Sequence, residues 1–273
     1  MPLLTLTSDI GAQDYLVGAV KGTLLSISPS FQLVDISHQL LPFNDPQAAY
    51  VVRSAVKHFP PGTFHLVLVN LFQHKPEHLL MVQHNDQYLC IADNGLITMI
   101  LEETPQQVVA LALDKNKPRN TLHCAEVFAK AVLQIESGKK LSELGDASVS
   151  IHVRNPLKPM ITNQYIEGQI IFIDQFENVV VNITREEFEE QRRGRSFRII
   201  FKRDEVIDQV SETYADVTEG DKLALFNAAG YLEIAINKGN AAGLFGLTGF
   251  SEKSMGNYAQ SRLFYQTVRV HFE

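Results

Sequence analysis

Five stretches of this chain carry side chains able to do chemistry. Leu3-Leu4-Thr5-Leu6-Thr7 is an apolar alternation that runs into Ser8-Asp9-Ile10-Gly11, so it reads as a strand that stops at a carboxylate and a glycine. An ionised carboxylate accepts two hydrogen bonds at once, and Asp9 can therefore hold paired ribose hydroxyls; an Asp ahead of a helix also reads as an N-cap. A second polar stretch, Asn70 to Glu77, follows an apolar run and contains His74, Lys75 and Glu77. Asn120-Thr121-Leu122-His123 puts His123 in the first turn of a helix. There the helix dipole favours the neutral imidazole, which serves as a base, a hydrogen-bond partner or a plain structural contact. Asp93-Asn94-Gly95 is first of all a turn, with ligand contact as the second reading. In the later half, Asp174 and Asn178 form a polar pair inside a Val/Ile frame. A hairpin turn explains them, while an Asn can also meet an adenine edge and an Asp an ammonium.

The elements around these residues alternate. Helical spacing from Tyr15 to Ile27, a strand from Phe31 to Ile36, a helix from Pro46 to Phe59 and a strand from Phe64 to Val69 come first. A hairpin of Leu79 to Val82 and Tyr88 to Ala92 around Asn85-Asp86, a short helix through Glu103, a strand from Val108 to Leu113 and a helix from Cys124 to Ser137 follow. Such alternation predicts an α/β fold, a mostly parallel sheet with helices on both faces. In such a sheet ligands sit at the carboxyl ends of the strands, where three loops are expected to converge: Asp9-Ile10-Gly11, Asn70 to Glu77, and Asn120-Thr121-Leu122-His123. The composition shifts after Gly145, and Asn155-Pro156-Leu157-Lys158-Pro159 reads as a linker, dividing the chain into domains 1–154 and 155–273. Beyond it short strands at Gln169 to Ile173, Val179 to Ile183, Phe197 to Phe201, Lys222 to Phe226, Tyr231 to Ile236 and Leu263 to Phe272 predict a small β barrel or sandwich. The charged helix Arg185 to Arg193 between them reads as a solvated face.

Composition bounds the function. The 273 residues carry a formal net charge of -7, without the cationic excess that nucleic acid or an anionic membrane surface requires. Cys90 and Cys124 have no metal-ligand spacing, and no apolar run reaches membrane-spanning length. The expectation is a cytoplasmic protein without metal or membrane anchor.

The succession Thr7-Ser8-Asp9-Ile10-Gly11, Val34-Asp35-Ile36-Ser37-His38, Asp93-Asn94-Gly95-Leu96, Thr121-Leu122-His123, Ile173-Asp174 with Phe176, Asn178 and Asn182, and Gly230-Tyr231-Leu232-Glu233-Ile234-Ala235 with Asn237 resembles the S-adenosylmethionine hydroxide adenosyltransferases, relatives of the fluorinase and chlorinase. The resemblance implies an amino-terminal α/β domain, a carboxy-terminal β barrel, and a homotrimer with sites between the first domain of one subunit and the second of its neighbour. It implies that Asp9 holds the ribose hydroxyls, that Phe43 packs near ribose and methionine, and that Asp174 and Asn178 meet the amino-acid amine and the adenine. It further implies that Asn94, Asn227 and Tyr231 belong to the binding set and that backbone near Asn237 and Lys238 borders the base. No cofactor is implied beyond S-adenosylmethionine itself.

The water-activating triad of the hydroxide-transferring members is an Asp, an Arg and a His. His123 matches the His, Asn70 stands at the Asp, and Glu77 or Lys75 stands near the Arg. The expected activity is hydrolysis of S-adenosylmethionine to adenosine and methionine, with His123, Asn70 and Glu77 as catalytic candidates. The alternative is a binding protein that kept the nucleoside pocket and lost the chemistry. On sequence alone, restoring a carboxylate at position 70 should raise turnover.

Overall fold

The computed structural model describes residues 1–202, 205–249 and 266–273, in two units, Met1–Pro156 and Leu157–Glu273. In the first unit, β1 (Leu3–Ser8), β2 (Gln32–Ser37), β3 (Phe64–Leu68), β4 (His78–His84), β5 (Gln87–Ala92) and β6 (Gln107–Ala112) form one sheet in the order β2-β1-β3-β5-β4-β6. Within it β4 opposes both its neighbours while β1, β2, β3 and β5 pair in parallel, so five carboxyl ends point to the same rim.

Alternation along the strands decides which helix covers which face. Leu66 and Leu68 join Leu4, Leu6, Met81 and Cys90 in a core shared with α1 (Leu16–Ile27) and α4 (Thr121–Glu136). Val67, Leu80, Val82, Leu89 and Ile91 point the other way, against α2 (Asp45–Val56) and α3 (Leu96–Leu101). Every residue of β3 is buried, so its side chains serve both layers, each large one contributing about 1.5 to 3 kcal/mol. The helices begin on side chains that the sequence supplies: Asn44 accepts from the Gln47 N–H with Pro46 in the first turn of α2, and Asn120 accepts from the His123 N–H at the start of α4. The β4–β5 hairpin turns on Asn85 and Asp86, both left-handed at φ 46° and 59°, as a two-residue loop between twisted strands requires.

The second unit is antiparallel. Strands β7 (Met160–Ile161), β8 (Tyr165–Ile173), β9 (Val179–Thr184), β10 (Phe197–Lys202), β11 (Glu205–Ile207), β12 (Lys222–Phe226), β13 (Tyr231–Ile236) and β14 (Thr267–Phe272) pair in the order β11-β10-β14-β8-β9-β13-β12, with β7 on β8. The outer strands approach each other and nearly close a barrel, joined by a Lys222–Glu205 ion pair at 2.6 Å and by the Ser211 N–H donating to the Ala224 carbonyl at 2.8 Å. Residues 263–265 of the expected last strand lie outside the described residues. The charged helix, α5 (Arg185–Arg192), is more than a solvated face: Phe188 is fully buried against Phe197, Phe226 and Phe272. Arg185, Arg192 and Arg195 lie over those same three rings, so the cations cover the apolar plug.

Candidate functional site

The first unit gathers its polar side chains where β1, β3 and β5 end. Asp9 follows β1 directly, and its Oδ2 accepts the backbone N–H of Asn70 at 2.9 Å. Burial pushes the Asp9 carboxyl above its ordinary range, against the lowering effect of that bond and of its own backbone N–H. Asn70 is buried in the left-handed region at φ 48°, just past β3. Its Oδ1 accepts the N–H of Phe43 at 3.1 Å and its Nδ2 donates to Asp45 Oδ1 at 2.7 Å. Phe43 is itself left-handed at φ 60°, a conformation costing a bulky residue about 1 to 2 kcal/mol, and Asn70 helps hold it there with its ring half exposed. Arg154 forms an ion pair with the other oxygen of Asp45. Asn94 closes the network, its Nδ2 donating to the carbonyls of Val69 and Asn70 at 3.1 and 3.3 Å while its Oδ1 accepts the Leu96 N–H. It is thus both the turn residue and part of the cluster.

A cavity of about 270 Å³ opens beside this network, lined by Asn70, His74, Glu77, His78, Asp93 and His152 among others. Glu77 and Asn70 both line this cavity. His123 is not among the residues lining it. Its Nε2 accepts the backbone N–H of Asp114 at 3.2 Å, which puts the proton on Nδ1, and Nδ1 faces Glu126 Oε2 at 3.5 Å. Glu126 is held at about 2 by Lys117 and Lys130, so it is an anion at any working pH. The basic nitrogen of His123 is accordingly committed to the backbone in this structure.

In the second unit Asp174 Oδ1 accepts the N–H groups of Phe176 and Asn178, and Oδ2 accepts from Asn178 Nδ2 at 3.1 Å. These bonds close the β8–β9 hairpin. Asn227 turns the β12–β13 hairpin by accepting from the N–H groups of Ala229 and Tyr231. Asn237 donates to the Val217 carbonyl at 2.8 Å, and Lys238 sits left-handed and exposed with its ammonium 2.8 Å from Glu219. Glu233 joins Asp174 and Asn227, buried and receiving the Tyr214 hydroxyl at 2.6 Å. Burial raises its carboxyl, the bonds from Tyr214 and Asn227 oppose that, and the Asp174 charge adds to it. Sequence reasoning passed over Glu233, although a carboxylate in the middle of the apolar strand Tyr-Leu-Glu-Ile-Ala-Ile is a visible signal. Asp45 and Arg154 left no such signal, since each is an ordinary polar residue in its local pattern.

The comparisons agree with this architecture. The (R)-S-adenosyl-L-methionine hydrolase of Methanocaldococcus jannaschii is 28% identical over 194 residues, covering 68% of this chain and 69% of that protein. The Thermus thermophilus protein of the same name is 27% identical over 252 residues, 88% and 94% of the two chains. A crystal structure of an uncharacterized conserved protein from Thermotoga maritima superposes with a TM-score of 0.80 at 26% identity, over 99% of this chain and 100% of that one. Residues 4–145 match the SAM hydroxide adenosyltransferase N-terminal domain and residues 168–252 its C-terminal domain, and the chain belongs to that family.

Proposed function

We propose that the protein hydrolyses S-adenosylmethionine to adenosine and methionine by attack of water on the ribose 5′ carbon. The observation that carries this reading is the Asp9 carboxylate, fixed at the end of β1 by the Asn70 N–H and short of solvent. A half-buried carboxylate with acceptor capacity left over suits a pair of vicinal hydroxyls, which return the hydrogen bonds that burial removes. Phe43 and Asn94 stand on the same network, and Asp174, Asn178, Asn227 and Tyr231 supply the turns assigned to the amino-acid and adenine portions. Asn237 and Lys238 complete the assignment toward the base. The substrate brings both the electrophilic carbon and a sulfonium leaving group, so no further cofactor enters. The protein has to align one water with the carbon to sulfur bond and take up its proton, a service worth about 10² to 10⁴-fold.

One observation favours the second reading, a protein that binds without turning over: Asn70 cannot take up a proton, and the Nε2 lone pair of His123 is occupied by a hydrogen bond from the Asp114 N–H. Incubation with S-adenosylmethionine separates the two. Equal amounts of adenosine and methionine, abolished by Asp9→Ala, support the hydrolase; binding of adenosine with no product supports the binder. We propose further that the protein is cytoplasmic and acts as a homotrimer. Among the described residues no helix is long and apolar enough to cross a membrane, and Leu41, Phe43, Phe72 and Val153 leave large apolar side chains exposed on the first unit. Light scattering giving a monomer with ligand binding intact would defeat the trimer.

A further inference from the structure

The cavity beside Asn70 also holds His78 and Asp93. His78 opens β4 and Asp93 follows β5, and because Leu79 is paired with Ala92 in that antiparallel ladder, His78 and Asp93 come opposite each other one step further on. The His78 Nε2 is 3.0 Å from Asp93 Oδ2. The other Asp93 oxygen accepts the backbone N–H of His152 at 2.8 Å, so the carboxylate is gripped on both sides. Its side chain is 8% exposed and that of His78 is 27% exposed, a dry carboxylate behind a ring that still reaches the cavity. An ionised carboxylate is an acceptor alone, so Nε2 carries the proton and the lone pair lies on Nδ1.

We propose that His78 is the general base for the attacking water and that Asp93 is its positioning residue, an inference that rests on the hydrolase reading. Asn70 lines the same cavity and donates its backbone N–H to Asp9, so one residue links the cavity to the carboxylate assigned to the ribose. The water oxygen forms a bond to the 5′ carbon as the carbon to sulfur bond breaks. That electron pair goes to sulfur, and methionine leaves as a neutral thioether. The water proton passes to His78 Nδ1, the imidazolium is stabilised by Asp93, and the proton is then lost to solvent. The arrangement supplies the base that Asn70 lacks and that His123, bonded to the backbone of Asp114, does not present.

Other titratable groups line the cavity: His74, whose ring centre is 5.7 Å from that of His152, together with Lys75 and Glu77. Asp146 also feels the charge of His78. The test compares His78→Gln, Asp93→Asn, the double variant, His74→Gln and His152→Gln for kcat, KM, the pH profile of kcat and calorimetric adenosine affinity. Asp93→Asn keeps an acceptor for the His152 N–H but presents an amide to Nε2, which moves the ring proton onto Nδ1 and blocks the base. His78→Gln and Asp93→Asn should each lower kcat by roughly 10² to 10⁴-fold with KM and adenosine affinity unchanged, the double variant being no worse than the poorer single one. The acid limb of the profile should vanish in His78→Gln and persist in His74→Gln and His152→Gln. An active wild type with unimpaired kcat in His78→Gln or Asp93→Asn overturns the dyad alone. Loss of adenosine affinity together with kcat would make the pair structural and overturn it as well. A wild type that yields no adenosine removes the hydrolase reading and the dyad with it.

Discussion

The amide of Asn70 stands 2.7 Å from a carboxylate, and that one contact changes what a substitution there does. Read from sequence, Asn70→Asp restores a family carboxylate and should speed hydrolysis. With Asp45 in place it sets two carboxylates against each other, and Arg154 is already paired with Asp45. The variant loses a hydrogen bond to a charged acceptor, and about 2 kcal/mol of stability should go with it at neutral pH, recovering on acidification as one carboxyl takes a proton. Chemical denaturation at pH 7 and pH 5 measures this, and adding Asp45→Asn should restore the wild-type midpoint at both. Turnover should not rise in the single variant. Asp9 was legible from sequence because a strand ending in a carboxylate is a local pattern. The Asn70–Asp45–Arg154 chain was not, since it joins three segments that only the folded sheet rim brings together.

At the scale of elements, periodicity was a good guide wherever one face of a strand or helix had to be buried. The run Phe64 to Val69 read as a doubly buried strand and β3 is one, while Asn85-Asp86 read as a hairpin turn and both residues are left-handed. The stacking of Arg185, Arg192 and Arg195 was not legible, because rings contributed by distant strands leave no sequence period. Strand pairing also buries a titratable group. Thr5 and His65 are directly opposed in the β1–β3 ladder, with Thr5 Oγ1 and His65 Nδ1 2.8 Å apart. Burial drops the His65 pKa from 6.5 to about 4, with Gln87 opposing. In the unfolded chain the ring gains its proton near pH 6.5, so the contribution is complete above that pH and is lost as pH falls toward 4. The loss amounts to about 2 to 3 kcal/mol at pH 4.5. Urea unfolding should show a stability drop between pH 7 and pH 4.5 that is smaller by that amount in His65→Gln; equal drops in both proteins would show that His65 is not the source.

For the whole molecule, the order of motifs along the chain carried more than any single one of them. Both family domains match in sequence order, and the two units divide at Pro156, inside the Asn-Pro-Leu-Lys-Pro stretch where all periodicity stops. The segment after β3 lines the cavity in which the base is proposed, with Asn70, His74, Lys75 and Glu77 beside His78 and Asp93. The central claim is attack of water at the 5′ carbon, and isotope labelling tests it most directly. Hydrolysis of S-adenosylmethionine in ¹⁸O-water, followed by mass spectrometry of both products, should place one ¹⁸O in the 5′ hydroxyl of adenosine and none in methionine. Unlabelled adenosine, label in methionine, or no adenosine at all would contradict it.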